Sequence, residues 1–314
     1  MIETAGTWAR NTLDAGGRGA GMVPGVGPGL RGALHWLATI VSAGTDLVST
    51  VVKAVVELVA AVVTGLLRLA GGLVVGTMGA VGPDRHRSDG SEPRPDRRTF
   101  AQGLGEVGAS LAGPLLLCLS KLLALVQAVL LSQRGERPLT ADERALLRRI
   151  YRGSVALYNV RVVDGFAGLF SFNKRPFTLG NTIYMKRREP ERYAATLVHE
   201  CAHVWQNQHV GSRYAVQAVW AQMTEDDAYR WSDELARGNR RWLDFNREAQ
   251  AQLLMHVWQR GRRGAEVGEG VAYTDDPVGD DVTFAWDGVD HTALVREAIA
   301  AVRAARSRRY SLRL

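Results

Sequence analysis

Cysteine is scarce in this chain. Its 314 residues include only two cysteines, Cys118 in an apolar stretch and Cys201 in a segment that also holds histidines. Two isolated thiols form neither a disulfide framework nor a Cys-x-x-Cys pair. The length is enough for one or two domains that each bury a core, so the fold does not depend on covalent cross-links.

The pattern of a secretory signal peptide is missing as well. The N-terminal sequence "MIETAGTWARNTLDAGGRGAG" has no basic stretch followed by an apolar one. Conventional secretion is therefore not indicated. We expect a bacterial cytoplasmic or membrane-associated location, or export by a specialised secretion system.

A strong excess of one charge is also absent. The net charge is +7, and the basic residues are scattered apart from a group of arginines near the C-terminal end. We interpret that group as a solvated helix face, because a moderate and dispersed positive charge is a weak signal for polyanion binding. No nucleic-acid partner is expected.

Two long apolar stretches are present, but both are interrupted. The first stretch carries four charged residues: Asp46, Lys53, Glu57 and Arg68. Pro114 and Lys121 break the second stretch. We predict five segments in chain order: a flexible glycine-rich leader (1–32), an apolar helical segment (33–82), a polar linker (83–100), a second apolar helical segment (101–133) and a globular domain (137–310).

The apolar segments support two interpretations. Residues 33–131 could associate with a membrane, since each stretch is long enough to cross a bilayer. One charge near the centre of an inserted helix costs about 2.5–3.5 kcal/mol, which long apolar flanks can outweigh. Alternatively, the helices pack on each other or on a partner.

The globular part has mixed patterns typical of an α+β domain. "LTADERALLRRIY" begins with a capping box in which Thr140 is the N-cap and Glu143 stands three residues later. "YNVRVV" and "NTIYMK" predict short strands, and helical patterns follow at 190–208, 213–222, 240–260 and 289–307. Strands come first and helices afterwards, so we predict a mainly helical domain with a small sheet.

The segment "TLVHECAHVWQNQH" carries the clearest chemical signal. His199 and His203 are four residues apart, so in a helix they lie on one face and can bind one Zn²⁺ ion. Glu200 lies about 100° round the helix from His199 and flanks the ion. Zinc would lower the pKa of a bound water, and Glu200 would accept its proton as general base, as in zinc peptidases. Cys201 is expected to face the core.

The third protein ligand is not evident from this segment. His209 fits the spacing of His-Glu-x-x-His-x-x-Gly-x-x-His, but Gln206 stands where that pattern needs a turn-forming glycine. We therefore expect His209 to be an exposed residue at a helix end. The alternative ligands are later glutamates: Glu225, Glu234, Glu248, Glu266 and Glu269.

Glu248 is the favoured glutamate. It lies at the edge of an apolar stripe of a long helical pattern, where it can face a site between helices. That stripe is formed by Trp242, Phe245, Ala249, Leu253 and Val257. A group that orients a ligand histidine must also exist, and Gln252 and Asp244 are the candidates.

Residues 138 to about 257 resemble the HExxH domain of Vgr-related proteins and of core proteins associated with bacterial contractile injection systems. The resemblance rests on "LTADERALLRRIY", "LGNTIYM", "TLVHECAHVWQNQ" and "FNREAQAQLL". It implies a zincin-like, specifically gluzincin-like, metallopeptidase domain in which Glu248 matches the later glutamate. It also implies a component linked to toxin delivery or a secretion system.

These observations predict a zinc metallopeptidase that acts on a peptide or protein substrate. The strand at Thr182, Ile183 and Tyr184 is expected to bind substrate by pairing with an extended peptide. A donor must stabilise the oxyanion of the transition state, and four residues are candidates: Tyr184, Tyr214, Tyr229 and His256. Two alternatives stay open, namely a non-catalytic zinc-stabilised scaffold that docks to an injection system, and a membrane-inserting toxin.

Overall fold

The computed structural model describes most of the chain, in nine ranges: 2–20, 27–79, 97–130, 136–172, 175–185, 190–224, 227–260, 262–263 and 282–305. Most of these residues are helical, and a small sheet accompanies the helices. The predicted α+β class, mainly helical with a small sheet, is therefore confirmed.

Three helices form the N-terminal part: α1 (Ile2–Ala20), α2 (Gly27–Gly79) and α3 (Arg97–Val129). Helix α1 packs along α2, and α2 packs along α3. Most of the predicted linker, residues 83–100, lies outside the described residues.

The prediction of a flexible leader at 1–32 is wrong for the described part, because α1 and the start of α2 are helical. Glycine weakens an isolated helix, but here packing outweighs that weakness. Arg10 is fully buried and forms an ion pair with Glu136. At Gly17 the helices approach closely, since a Cβ there would lie 3.4 Å from the Cβ of Leu34.

The remaining elements form the globular domain. Its helices are α4 (Ala141–Tyr151), α5 (Pro190–His209), α6 (Arg213–Thr224), α7 (Trp231–Ala236), α8 (Arg247–Arg260) and α9 (Thr292–Ala304). Its strands are β1 (Glu136–Pro138), β2 (Arg161–Val163), β3 (Phe177–Leu179), β4 (Thr182–Tyr184), β5 (Arg262–Arg263), β6 (Val282–Thr283), β7 (Ala285–Trp286) and β8 (Val289–Asp290).

Helix α4 begins as the sequence predicts. The Thr140 hydroxyl accepts a hydrogen bond from the Glu143 amide at 3.1 Å, and the Thr140 amide donates to the Glu143 carboxylate at 2.7 Å. Each bond satisfies an amide that the first helical turn leaves without a partner. The predicted capping box is therefore confirmed.

The main sheet has the order β1-β2-β4-β3. Strands β2 and β4 are parallel, while β1–β2 and β3–β4 pair antiparallel. Strand β4 is thus an inner strand with a neighbour on each side, and β3 is an edge strand. Helix α5 packs against β3 and β4, so the edge strand lies beside the helix that carries the histidine motif.

Helices α5 and α8 pack against each other at the centre of the core. The predicted apolar stripe is confirmed, as all five of its side chains are buried: Trp242, Phe245, Ala249, Leu253 and Val257. The helix that carries most of the stripe is shorter than predicted, because residues Trp242–Asp244 form a 3-10 turn and α8 begins only at Arg247. This packing places Glu248, in the first turn of α8, against α5.

The helices α2 and α3 dock onto the globular domain through polar contacts. Lys121 donates to Asp46 and to the Thr182 hydroxyl, each at 3.0 Å. Glu57 accepts from the Ser212 amide at 3.0 Å, just before α6. The windows Pro28–Ala60 and Ala112–Val129 are nevertheless long and apolar enough to cross a membrane by length and composition, and only 22% and 39% of them is buried.

Candidate metal centre

His199, His203 and Glu248 converge on one point between α5 and α8. The Nε2 atoms of His199 and His203 lie 3.3 and 3.4 Å from the same oxygen, Oε2 of Glu248. One donor atom from each of the three residues lies within 4.8 Å of the other two, and all three residues are buried. Together they form a group that could hold a metal ion.

The imidazole of His203 is oriented by Gln206, one turn further along α5. The Nδ1 atom of His203 lies 2.8 Å from Oε1 of Gln206. The Gln206 amide nitrogen donates to the Arg247 carbonyl at 3.0 Å and to Oε1 of Gln250 at 2.9 Å. Since these two acceptors fix which end of the amide is nitrogen, the oxygen faces His203 and Nδ1 is the donor. When His203 is deprotonated, as a metal ligand must be, its Nε2 lone pair faces Glu248.

Within the described ranges, no comparable group orients His199. Its Nδ1 atom is buried and has no hydrogen-bond partner among the described residues. The two groups predicted to orient a ligand histidine lie elsewhere: Gln252 bonds to His256 at 2.7 Å, and the Asp244 carboxylate pairs with Arg241. Both of those predictions are wrong, because the Gln252 amide bonds to His256 one turn further along α8, and Asp244 lies in the turn before α8, where it pairs with Arg241.

Glu248 is held in its charged form. Burial alone would raise its pKa, but the adjacent His203 and His199 outweigh burial and hold the pKa well below its usual range. For His203, burial would lower the pKa, yet the Glu248 carboxylate raises it to about 9. The second Glu248 oxygen accepts from Gln222 of α6 at 2.8 Å. The Glu248 carboxylate is therefore negatively charged and lies beside both imidazoles, where it could serve as the anionic ligand of a metal ion.

Glu200 lies beside this group without belonging to it. Its Oε2 accepts a hydrogen bond from the Thr178 hydroxyl on β3 at 2.8 Å. Burial raises the pKa of Glu200, while nearby His199 and His203 and the Thr178 bond act in the opposite direction. The carboxylate thus lies between α5 and the edge strand, close enough to His199 and His203 for their charge to lower its pKa. Sequence reasoning missed Thr178, because nothing local in "PFTLG" indicates a partner 22 residues away.

His209 and Cys201 point away from the metal group. The His209 ring stacks on Trp205 at 4.7 Å, and its Nδ1 lies 2.8 Å from the Trp205 carbonyl. It ends α5 as expected but is half-buried, not exposed as predicted. Cys201 is buried in the core as predicted, and burial raises the pKa of its thiol.

The other glutamates do not approach the centre where they are described. Glu234 is buried and accepts hydrogen bonds from Arg237 at the end of α7 and from Asn246, and the second bond ties the start of α8 to α7. Glu225, Glu266 and Glu269 lie outside the described residues.

The prediction that Thr182, Ile183 and Tyr184 pair with a peptide is wrong. All three residues are buried, and β4 already has a strand on each side. The Thr182 hydroxyl contacts Lys121, and the Tyr184 ring stacks on Phe177 at 4.7 Å. The sequence pattern identified a strand correctly, but pairing with distant β2 made it an inner strand.

Tyr229 is the best placed of the four candidate oxyanion donors. Its ring borders the metal group, and in the described part of the chain its hydroxyl makes no hydrogen bond to the backbone. Its ring centroid lies 5.9 Å from that of His199, and its hydroxyl accepts from Gln222 at 3.1 Å. Arg175 lies 5.8 Å above the Tyr229 ring.

The other three candidates are occupied elsewhere. The Tyr214 hydroxyl is engaged with the Gly180 amide and the Thr178 carbonyl. Tyr184 packs among phenylalanines, and the His256 ring stacks on Trp286 at 4.2 Å.

A scan against protein-family models, a search of curated proteins and a search of solved structures each found no match to this chain. The resemblance to HExxH domains of contractile injection systems therefore stays a prediction, and inference about function rests on the geometry of the metal group.

Proposed function

We propose that the protein is a zinc-dependent metallopeptidase with a zincin-like domain. His199, His203 and Glu248 hold the ion, and Glu200 is the general base. The observation that carries this proposal is the convergence of both imidazole Nε2 atoms on one Glu248 oxygen, at 3.3 and 3.4 Å. Two ligands about 2.1 Å from a tetrahedral zinc ion lie about 3.4 Å from each other.

The ligand chemistry also favours zinc. Two neutral imidazoles and one carboxylate make a mixed nitrogen and oxygen set, which suits zinc better than the all-oxygen sets that calcium and magnesium prefer. Three protein ligands leave a fourth position for water or substrate. When bound there, zinc supplies a Lewis acid that activates a water and polarises a carbonyl.

Glu200 has the properties of a general base in such a reaction. It follows the ligand His199 in sequence, but its carboxylate accepts a hydrogen bond from Thr178. The carboxylate is therefore held beside the metal group and is not one of the three ligands. Burial raises its pKa, which brings its proton affinity closer to what transfer at neutral pH requires. It accepts the proton of the attacking water and returns it to the leaving amine.

Peptide is the substrate class that we propose, and a link to toxin delivery is part of the same proposal. Both rest on the resemblance of the HExxHVWQ segment and of the later Glu-x-Gln-Ala helix to injection-system proteins. Gln206 gives the HVWQ extension a physical role, because it orients His203 and joins α5 to Arg247 and Gln250 on α8.

The decisive experiment separates metal binding from catalysis. Purified wild type, Glu248→Ala, His209→Ala and Glu200→Gln are compared for bound zinc by elemental analysis and for cleavage of a mixed peptide library by mass spectrometry. We expect Glu248→Ala to lose zinc and activity, and His209→Ala to keep both. Glu200→Gln should keep zinc and lose cleavage. Loss of zinc in His209→Ala alone would show that the ligand set is different.

A non-catalytic zinc-stabilised scaffold is the second candidate. The observation that favours it is burial, since His199, His203, Glu200 and Glu248 are each at most 7% exposed. In that case zinc contributes folding free energy, and Glu200→Gln changes neither zinc content nor biological activity. If the wild type cleaves peptides, and both zinc chelation and Glu200→Gln abolish that cleavage, the scaffold role is excluded.

A further inference from the structure

The outer faces of α2 and α3 are apolar and exposed. The side chains of Val48, Val55 and Val59 on α2 are 51%, 55% and 57% exposed, and those of Leu119, Leu122 and Val126 on α3 are 57%, 48% and 44% exposed. At 100° per residue the three α2 positions lie within about 40° of one another, so they form one stripe. Exposed apolar stripes of this length mark interaction surfaces.

Three charged residues of the same helices, Asp46, Glu57 and Lys121, lie on the inner face that meets the globular domain. Asp46 is nine residues from Val55, and Glu57 is nine residues from Val48, so each acid lies about 180° round the helix from the stripe. Lys121 on α3 is buried and bonds to Asp46. This arrangement is the reverse of a helix in a soluble domain, which turns its apolar side to the core and its charges to water.

The globular domain occupies the inner face along most of this length. Ser42 contacts Glu136 at 3.2 Å, and Glu57 contacts the Ser212 amide at 3.0 Å. These contacts are 15 residues apart on α2, which is about 22 Å of helix. The candidate span Pro28–Ala60 includes both contacts. A hydrocarbon core is about 30 Å thick, so a membrane span through residues 42–57 would place Glu136 or Ser212 inside lipid.

We propose that the α2–α3 apolar face lies flat in the surface of a phospholipid bilayer, with the globular domain on the water side. An in-plane position buries the valine and leucine stripe among acyl chains and leaves the charged inner face against protein. Trp220 on α6, a helix that packs on α3, is 65% exposed and suits the headgroup region, where tryptophan is enriched.

This inference does not depend on the metal site, so the two can fail separately. The first test is flotation of the full chain with vesicles of phosphatidylcholine and phosphatidylglycerol. Val55→Asp is compared with Val289→Asp, which alters a valine of the globular domain that is also 55% exposed. We expect Val55→Asp to weaken vesicle binding about tenfold or more and Val289→Asp to bind as wild type. Equal binding of both variants, or no binding by wild type, would overturn the proposal.

The second test keeps the exposed face apolar and measures depth. Single cysteines replace Val48, Val52, Val55 and Val59 in a Cys118→Ser background and carry nitroxide labels. An in-plane helix places all four labels at the same depth, whereas a spanning helix spreads them over about 16 Å. Graded depths would reject the in-plane arrangement. Labels shielded from lipid in a stable dimer would identify a second copy as the occupant and also reject it.

Discussion

Oε1 of Gln206 lies 2.8 Å from Nδ1 of His203, one turn earlier on α5. Gln206 occupies the position where a third-histidine site would need a turn-forming glycine. Here the helix continues through it, and the side chain orients a ligand histidine instead. Groups that hold the second nitrogen of a ligand imidazole fix its ring and raise its basicity.

Replacement of Gln206 tests that role. We expect Gln206→Leu to weaken zinc affinity about 10–100-fold, since His203 loses its acceptor while every ligand remains. Gln252→Leu is the matched control, because Gln252 bonds to His256 and not to a ligand. Competition with a chromogenic chelator measures both affinities. Equal affinity in the two variants would show that Gln206 supports only helix packing.

Thr178 holds the proposed base from another element. Thr178→Val keeps the shape of the side chain but removes the hydroxyl that donates to Glu200 at 2.8 Å. We expect zinc content to stay unchanged and kcat for peptide cleavage to fall about tenfold, because Glu200 is no longer positioned. Thr178→Ser should restore the rate. If serine fails to restore it while the fold is intact, the hydroxyl is not what matters at this position.

Glu143 links stability to pH at the start of the globular domain. Burial would raise its pKa, but hydrogen bonds from Arg137 and Tyr193 outweigh burial and lower the pKa from 4.5 to about 2. Because the folded-state pKa is depressed, the stabilisation is complete above about pH 4.5 and is lost as the pH falls to about 2. We expect Glu143→Gln to cost on the order of 2 kcal/mol at pH 7, discounted for partial exposure of Arg137.

Urea unfolding of wild type and Glu143→Gln at several pH values checks this linkage. The difference in unfolding free energy should be constant above pH 5 and shrink toward zero near pH 2. A difference that stays the same down to pH 2 would mean that the carboxylate charge does not contribute.

Gly113 permits the close approach of α3 to the globular domain. A Cβ there would lie 2.8 Å from the Ser212 carbonyl oxygen, which is backbone and cannot move freely. We expect Gly113→Ala to destabilise the protein by about 1–3 kcal/mol in thermal unfolding. Gly44→Ala is the control, since a Cβ there meets nothing within 4 Å. It should be neutral or slightly stabilising, because alanine favours the helix.

Local sequence determined the parts of the site that lie on one helix. The same-face placement of His199 and His203 follows from helical geometry alone, and the α4 capping box likewise involves residues three apart. The choice of Glu248 drew on a stripe of apolar residues whose period indicated which side of α8 meets the core. The structure brings Glu248 within 3.4 Å of both imidazoles, although its role as a metal ligand stays a proposal.

Tertiary structure alone decided which strand is inner, which groups surround the metal centre and whether the glycine-rich N-terminus folds. Strand β4 has two neighbours because β2, about twenty residues earlier, pairs with it, so its peptide groups cannot bind substrate. Three further contacts also join residues far apart in the chain: Thr178 with Glu200, Tyr229 with His199, and Arg10 with Glu136. Such contacts depend on how whole elements pack, whereas periodicity and capping depend only on residues within a turn or two.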